Sequence, residues 1–423
     1  MDKNMKNESD KIEINDPTNE ASVSEPGQEI HNIKKHSSDK LWLVFVIVGI
    51  ICFGGGVACI IIAALTQVAE SQASVYPELT RGNQSADKVY SKLTGEALAD
   101  ASLIDAPVYC VQTPNGTDGA RPQVGITQAG VVFEAIAEAG ITRFAAIYQN
   151  PTSAVIGPIR SLRIYYLEWD TPFDCTIVHA GGSADALAAV SSGGYKDLSE
   201  DYAYMYRGTA GARLWNNLFT TSANLKRFSS DRGYNTSDIK GFARLTPEES
   251  EKTRIDSQVR KKLIITQPAS GDTSQLEPKV SNVHLRLGGV ASFNVDYTYD
   301  AAQNKYLRAY DSGAAHEVYR CPNEDLGEQN PETACELAQV APSVVVAIKV
   351  PEKRAWDNYH EDITTTGLGE AYIFQNGDAI KGTWNKASKA DQIKFFDDNG
   401  AEVKLVPGQT FITAVPDYGS IDF

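Results

Sequence analysis

The sequence has no excess of basic residues. Lys and Arg together number 39 and Asp and Glu number 54, so the formal net charge is −15. A nucleic acid is a polyanion and would be repelled by such a chain, so we expect no nucleic-acid partner. This balance leaves room for a local basic pocket. Internal repeats are absent as well, and the one long low-complexity stretch is the polar head of the chain.

Bulky apolar side chains are nearly absent from that head, residues 1–40, in which Lys, Asp, Glu, Asn and Ser dominate. A segment of this composition cannot bury enough apolar surface to offset the entropy lost on ordering. The sequence therefore predicts a disordered tail.

Charge is absent from the next segment, the apolar run Leu41–Leu65. A helix needs about 20 apolar residues to cross a bilayer core about 30 Å thick, and this run is longer. Lys34, Lys35 and Lys40 precede it, whereas no Lys or Arg follows until Arg81. The positive-inside rule then predicts a single-pass helix in the cell membrane, with a cytoplasmic N-terminus and the bulk of the chain on the outer face. A cleaved signal peptide would have a shorter apolar region, roughly 7 to 15 residues.

Cysteine is scarce, and no CxxC spacing or nearby His pair suggests zinc. We expect no metal and no cofactor. Four of the six cysteines lie beyond the apolar run, an even number in a compartment that permits disulfides. Cys321 and Cys335 bracket a polar loop, which predicts one bridge between them. That leaves Cys110 to pair with Cys175, each within a predicted strand.

Beyond the anchor, predicted strands alternate with predicted helices. The strands are Pro107–Thr113, Ile141–Gln149 and Phe173–His179, and the helices are Gln128–Ala139, Ser161–Trp169 and Ser183–Val190. This alternation predicts an α/β domain with a mainly parallel sheet and helices on its faces. Later segments are short and alternating, with Asn-Gly turns, which predicts a β-rich domain. The predicted divisions are a disordered tail (1–40), a transmembrane helix (41–65), a spacer (66–84), an α/β domain (85–244), a linker (245–281) and a β-rich domain (282–423).

Polar and cationic residues follow the predicted strands, where open α/β sheets bind their ligands. Ser183 opens a helix behind two glycines, which leaves backbone N–H groups free for an anion. Arg160 and Arg163 carry guanidinium forks that suit carboxylate or phosphate. The other interpretation is that these arginines form ion pairs inside the domain. The candidate ligand-binding residues are Arg121, Arg160, Ser161, Arg163, His179, Gly181, Gly182, Ser183, Arg207 and Asn217.

Glu134 and Glu138 lie on the polar face of the predicted helix Gln128–Ala139. Together with His179 they are candidates for general acid and base. Alternatively, they are solvated or pair with Arg143.

Several motifs in fixed order carry a family resemblance. RPQVGITQAGVVFEAIAEAGITRFAAIY, IGPIRSLRIYY and HAGGS, and later GEAYIFQNGDAIKGTWNK and DDNGAEVKLVPGQTFITAVP, resemble the YerB-like bacterial lipoprotein family from about Leu93 to Pro416. The resemblance implies an exported, membrane-tethered, two-part protein whose activity is not established. Two departures stand out: the anchor is a predicted transmembrane helix instead of a lipidated cysteine, and Asn216 precedes Asn217 where the family pattern has His.

Three functions fit these patterns. The first is an extracytoplasmic cell-envelope protein that binds an anionic ligand, namely a cell-wall polymer, its precursor or a phosphate-bearing glycan. The second is an envelope hydrolase or transferase that uses His179 with Glu134 or Glu138. The third is a non-catalytic interaction scaffold.

Overall fold

A computed structural model of the chain describes residues 88–208, 216–254, 280–321 and 334–423. The predicted tail, the predicted transmembrane helix Leu41–Leu65 and the spacer lie outside these residues, as does most of the predicted linker. Across the described ranges, the structure contains no helix with both the length and the apolar character that a bilayer crossing requires.

The first half of the described chain builds strands and helices that alternate only in part. In chain order they are β1 (Val108–Pro114), β2 (Val131–Glu138), β3 (Ile141–Gln149), α1 (Ile164–Asp170), β4 (Thr176–His179), α2 (Ala184–Ser191), β5 (Lys196–Ser199), β6 (Met205–Arg207), β7 (Leu218–Thr220) and α3 (Ser222–Arg232). Short 3-10 turns cover Ala101–Asp105, Ile126–Gln128 and Thr171–Phe173.

The second half is rich in strands, which confirms the predicted β-rich C-terminal part. Its strands are β8 (Asn282–Arg286), β9 (Val295–Asp300), β10 (Lys305–Tyr310), β11 (Glu317–Arg320), β12 (Glu336–Gln339), β13 (Val344–Val350), β14 (Glu352–Arg354), β15 (Glu361–Ile363), β16 (Gly367–Gln375), β17 (Asp378–Lys386), β18 (Lys394–Asp397), β19 (Thr410–Pro416) and β20 (Ser420–Asp422). A 3-10 turn at Ala291–Phe293 precedes β9.

One ten-stranded sheet takes strands from both halves, in the order β18-β17-β16-β13-β19-β2-β3-β1-β4-β5. The junction is the parallel pair of β19 and β2, in which Thr410 lies opposite Val131. A separate four-stranded sheet has the order β10-β9-β8-β20. The strand ends of the first half therefore lie in the same sheet as those of the second.

The prediction of a helix at Gln128–Ala139 is wrong. This segment contains the strand β2, and all of β2 is buried. Ala139 and Gly140 then adopt positive φ angles of 53° and 74°, as a two-residue hairpin turn requires. A strand that is covered on both faces carries apolar side chains at consecutive positions. In β2, Val131, Val132, Ala135 and Ile136 therefore also have the spacing of a helix face.

The sheet is mixed, so the prediction of a mainly parallel sheet is also wrong. Strand β3 is antiparallel to both β1 and β2, because β2 and β3 form a hairpin instead of a helical crossover. Strands β16, β17 and β18 are antiparallel as well. The parallel pairs are β1 with β4, β4 with β5, β13 with β19 and β19 with β2.

Aromatic side chains fill the core on either side of the large sheet. Phe133 of β2 stacks on Trp169 of α1, with ring centroids 5.3 Å apart. Its neighbour Val132 points to the opposite face and packs with Phe144 and Tyr148. Burying a large apolar side chain stabilises the fold by about 1.5–3 kcal/mol, so both faces of β2 hold it in place.

Both predicted disulfides are confirmed. Cys110 of β1 is bonded to Cys175, which immediately precedes β4, and their separation in sequence is 65 residues. Cys321 is bonded to Cys335 across a separation of 14 residues. The first bridge joins two neighbouring parallel strands near their starts, at the edge of the sheet opposite the strand ends described below.

Candidate functional site

The candidate site lies where β1, β2 and β4 end and β3 begins. Pro114 at the end of β1 pairs with Arg143 near the start of β3, because these strands are antiparallel. Glu138 ends β2 and His179 ends β4 at the same side of the sheet. We call this group the arginine edge; it comprises Glu138, Arg143, Arg160, Ser161, Arg163, His179, Gly181, Gly182 and Ser183.

Two segments that are distant in sequence run side by side at the arginine edge. The N–H of Ala180 donates to the carbonyl of Arg160 at 3.0 Å, and the N–H of Leu162 donates to the carbonyl of Gly181 at 3.0 Å. Ser183 N–H completes the ladder with a 3.1 Å bond to the Leu162 carbonyl. The structure thus brings together the Arg-Ser-Leu-Arg and Gly-Gly-Ser stretches that the sequence singles out.

Glu138 is buried and neutralises two arginines. Its Oε2 accepts from Nη2 and Nε of Arg163 at 2.7 and 3.2 Å, while its Oε1 accepts from Arg143. Arg143 also donates to the carbonyl of Ser161 at 3.0 Å. Burial, followed by the nearby charge of Arg163, lowers the pKa of Arg143 to about 10. Arg163 is therefore an internal ion-pair partner, and Glu138 pairs with Arg143.

Arg160 differs from these two arginines. It is half-buried, and its guanidinium makes no hydrogen bond or ion pair with any residue that the structure describes. Burial lowers the pKa of Arg160, with Glu138 raising it and Arg163 lowering it further. Asp118 raises the pKa of Arg160 and Arg207 lowers it, both by smaller amounts. Only Arg143 and Arg163 contact Glu138 directly, so the Arg160 guanidinium has no carboxylate in direct contact among the described residues.

His179 is committed to the interior. The residue is 1% exposed. Its Nδ1 lies 2.8 Å from the Gly181 carbonyl oxygen and its Nε2 lies 2.9 Å from Asp197 Oδ1. Since both ring nitrogens face acceptors within the protein, the imidazole ties the Gly-Gly turn to β5. In this geometry neither nitrogen is available to take a proton from a ligand.

Ser183 occupies the N-cap position of α2 without capping it through its side chain. Its hydroxyl is buried and has no hydrogen-bond partner among the described residues. An N-cap hydroxyl normally accepts from the first turn of its helix. This hydroxyl and the Ser161 hydroxyl lie on the two segments that run side by side here, and Arg160 belongs to the same segment as Ser161.

The three other predicted ligand-binding residues have partners of their own. Arg121 donates to Asn115 through Nε at 2.9 Å, and its guanidinium lies 3.7 Å from the centre of the Tyr310 ring. Arg207 donates to Asn217 Oδ1 at 2.9 Å and forms an ion pair with Glu200. Arg121 therefore belongs to another cluster. Arg207 and Asn217 lie close to Arg160, because the Ile159 N–H donates to the Leu218 carbonyl at 2.8 Å and the charge of Arg207 lowers the pKa of Arg160.

Glu134 belongs to a second polar cluster that sequence reasoning missed. It is fully buried and accepts two 2.8 Å hydrogen bonds from Arg308 Nη2. Arg308 also contacts His316, whose Nε2 lies 3.0 Å from Gln123 Oε1. Burial, reinforced by the charge of Arg308, holds the pKa of His316 well below its usual range. The available signal was the place of Arg308 between Tyr306 and Tyr310 on the inward face of β10.

Neither glutamate lies on the polar face of a helix, so that sequence interpretation is wrong. Both belong to the buried strand β2 and are held by arginines. A carboxylate that is held by buried cations has no free lone pair directed at solvent. No acid and base pair of the kind predicted for His179 with Glu134 or Glu138 is available in this arrangement.

Cavity volume marks a different place. A cleft of about 570 Å³ lies at the opposite side of the sheet, lined by Gln128, Asn150, Gln339 and Gln409 among others. These amides are used internally: Gln409, for example, donates to the carbonyls of Ile126 and Ala129. The candidate site is assigned to the arginine edge and not to this cleft. The reason is that a half-buried cation without a partner among the described residues is costly, and an anionic ligand would remove that cost.

Glu352 of β14 is a half-buried acid whose pKa leads to a prediction about the pH dependence of stability. Tyr418 donates to its Oε1 at 2.8 Å, and its Oε2 has no partner among the described residues. Burial raises the pKa of Glu352 to about 7. The stabilising contribution of the protonated form is therefore fully present below the unfolded pKa, about 4.5, and is lost as the pH rises through 7.

We expect Glu352→Gln to gain melting temperature relative to the wild type as the pH rises from 5 to 8, because an amide has no proton to lose. Thermal unfolding at several pH values measures this difference. Glu317→Gln, at an exposed position, is the control and should follow the wild type. Parallel curves for Glu352→Gln and the wild type would refute the assignment.

The fold and the arginine edge define a two-part protein whose halves share one sheet, and comparisons with known proteins agree. Residues 93–235 match the family described as Protein of unknown function (DUF3048) N-terminal domain, and residues 283–412 match its C-terminal domain. The chain belongs to this DUF3048, YerB-like family.

A sequence comparison and a structure comparison, both with YerB of Bacillus subtilis, show how much of the chain the resemblance covers. A protein of Bacillus subtilis (strain 168) named "Putative lipoprotein YerB" is 26% identical over 337 residues, which cover 79% of this chain and 88% of that protein. The crystal structure of YerB protein from Bacillus subtilis has a TM-score of 0.61 at 24% identity and covers 79% of this chain and 100% of that chain. The second comparison supports the fold alone.

Proposed function

We propose that the protein is a membrane-anchored, extracytoplasmic envelope protein that binds an anionic ligand at the arginine edge. The observation that carries the proposal is Arg160, a half-buried guanidinium that has no hydrogen bond or ion pair with any described residue and lies beside two arginines that share one carboxylate. Burying a cation without a partner is costly, and an anionic ligand removes that cost. Candidate ligands are a cell-wall polymer, its precursor or a phosphate-bearing glycan.

Three observations support a location outside the cytoplasm. Two disulfides are typical of proteins outside the cytoplasm. The apolar run Leu41–Leu65 is long enough to anchor the chain. The relative from Bacillus subtilis is named as a lipoprotein, a class that is tethered to a membrane. We therefore place the arginine edge on the outer side of that membrane.

We favour capture over catalysis because the groups proposed for acid–base work are engaged inside the protein. Glu134 and Glu138 neutralise arginines, and His179 spans Gly181 and Asp197. A general base needs a free lone pair within reach of the ligand. The arrangement suits a site that binds an anion by its charge and whose surrounding side chains are already held in place by internal contacts.

Arg160→Ala should weaken binding of a phosphate-bearing wall polymer tenfold to a hundredfold, since a charge-assisted hydrogen bond contributes about 1.5–3 kcal/mol. Its melting temperature should stay close to that of the wild type, because the guanidinium makes no hydrogen bond or ion pair with the part of the chain that the structure describes. Titration calorimetry with the full chain, and with the dephosphorylated polymer for comparison, measures the effect.

Two variants control this experiment. Arg320→Ala removes the same charge from an exposed position on β11 and should bind as the wild type does. Arg163→Ala strips a partner from buried Glu138 and should lower thermal stability. Unchanged affinity in Arg160→Ala would refute the proposed site, whatever the other variants do.

A further inference from the structure

The hairpin of β14 and β15 presents two exposed aromatic side chains. Trp356 is 80% exposed and Tyr359 is 57% exposed, both in the turn between the strands. The other two described tryptophans, Trp169 and Trp384, are almost fully buried. Single exposed apolar side chains need no explanation, but two aromatics within four positions of one short turn form a patch.

The turn that carries this pair is held by its own hydrogen bonds. Asp357 Oδ1 accepts from the N–H of Tyr359 at 3.0 Å and of His360 at 2.9 Å. Asp357 Oδ2 lies 2.6 Å from His360 Nδ1, and the Ala355 N–H donates to the His360 carbonyl at 2.8 Å. The Tyr359 ring packs edge-on against the His360 ring, with centroids 4.9 Å apart. The aromatic pair is therefore displayed on a fixed support, which reduces the entropy lost on binding.

This turn adjoins the arginine edge. His360 forms a backbone bridge with Glu138, the carboxylate shared by Arg143 and Arg163. Glu138 is also near enough to influence the pKa of both Arg160 and Glu361 of β15. The aromatic turn and the Arg160 guanidinium are thus both neighbours of one residue, Glu138.

The net negative charge of the hairpin limits which ligands the aromatic pair can bind. Lys353 and Arg354 are outnumbered by acidic residues between positions 352 and 362, namely Glu352, Asp357, Glu361 and Asp362. An anionic lipid surface would be repelled by this excess, whereas a basic patch would attract it. A sugar ring is uncharged and has an apolar face, so it can stack on an aromatic ring without meeting this repulsion.

We propose that Trp356 and Tyr359 form a stacking subsite for a sugar ring of a phosphate-bearing glycan whose phosphate binds Arg160. The inference rests on the proposed function and narrows its ligand: one molecule carries an anionic group and, next to it, a pyranose ring. The arginine edge supplies the charge recognition, and the aromatic turn distinguishes a glycosyl phosphate from phosphate alone.

The test titrates the full chain with three probes, a phosphorylated oligosaccharide, the same oligosaccharide without phosphate, and inorganic pyrophosphate. Trp356→Ala should lose about tenfold in affinity for the phosphorylated oligosaccharide, as expected for one lost stacking contact of about 1–1.5 kcal/mol. Its affinity for pyrophosphate should not change. Leu368→Ala, at another exposed apolar position, is the matched control and should leave all three affinities intact.

Quenching of tryptophan fluorescence by acrylamide gives a second readout. The glycan should protect the wild type from quenching, and this protection should vanish in Trp356→Ala. Full affinity of Trp356→Ala for the phosphorylated oligosaccharide would overturn the inference. So would Trp356-dependent binding to anionic vesicles or self-association without any effect on glycan binding. The proposed function would survive these results, since it fails only if Arg160→Ala retains full affinity for the phosphorylated probes.

Discussion

Replacing Glu134 by alanine should lower the free energy of unfolding by about 3–5 kcal/mol, the cost of removing one partner from a buried ion pair. Both Glu134 and Arg308 have fully buried side chains. Burial opposes the charge of Arg308, but Glu134 outweighs that effect and raises the pKa of Arg308 above its ordinary value. Without Glu134 the guanidinium remains charged in the core beside neutral His316. Chemical denaturation measures the loss directly.

A double-substitution cycle separates the ion pair from simple loss of packing. Arg308→Met alone leaves a buried carboxylate and should cost a similar amount. The combined variant Glu134→Leu with Arg308→Met removes both charges and should be more stable than either single variant, because buried ion pairs are often replaceable by apolar side chains. Additive losses would show that the two residues do not act as a pair. Because Glu134 belongs to β2 and Arg308 to β10, the cycle also probes contact between the two halves of the family match.

Removing the bridge between Cys110 and Cys175 should lower stability by about 4 kcal/mol in the chain-entropy model, given the loop closed across a separation of 65 residues. Both cysteines should be replaced by alanine, so that no free thiol remains. Unfolding in denaturant without reductant measures the difference from the wild type.

The second bridge supplies the comparison for this experiment. Replacing Cys321 and Cys335, whose separation is 14, should cost less, about 3 kcal/mol, since a shorter loop restricts the unfolded chain less. Equal stability of the Cys110/Cys175 double variant and the wild type would contradict the assigned role of the longer bridge.

Local sequence patterns were sufficient for several elements. The strand at Ile141–Gln149 has the bounds expected from sequence, and the helices near Ser161–Trp169 and Ser183–Val190 are present as α1 and α2. Both disulfides followed from cysteine count and spacing. Segment β2 failed because it is buried on both faces, so its apolar spacing could not distinguish strand from helix.

The wrong prediction of a helix at β2 also explains the wrong predictions for the strand directions in the sheet and for the position of Glu138. Once β2 is a strand, β3 must return antiparallel, and the insertion of β19 beside β2 depends on a pairing across nearly the whole described chain. Such a pairing leaves no local mark on the sequence. Glu138 was assigned to a helix surface for the same reason, so its role as the shared partner of Arg143 and Arg163 was out of reach.

The general location of the candidate site was accessible from sequence, because the strand-end rule depends only on where strands stop. It placed Arg160 beside the Gly181–Ser183 turn, and the backbone ladder between these segments agrees. Only the structure could show which of the two arginines is held by an internal carboxylate. Arg163 and Arg160 are the same residue type. They differ because the Glu138 carboxylate binds the Arg163 guanidinium, whereas the Arg160 guanidinium has no hydrogen bond to a described residue.

The most direct measurement of the central claim is a crystal structure of the chain with a phosphorylated oligosaccharide bound at saturating concentration. We predict that phosphate oxygens lie about 2.7–3.2 Å from the guanidinium nitrogens of Arg160, next to the Ser161 and Ser183 hydroxyls. A phosphate bound elsewhere on the protein, with Arg160 making no contact to it, would contradict the account.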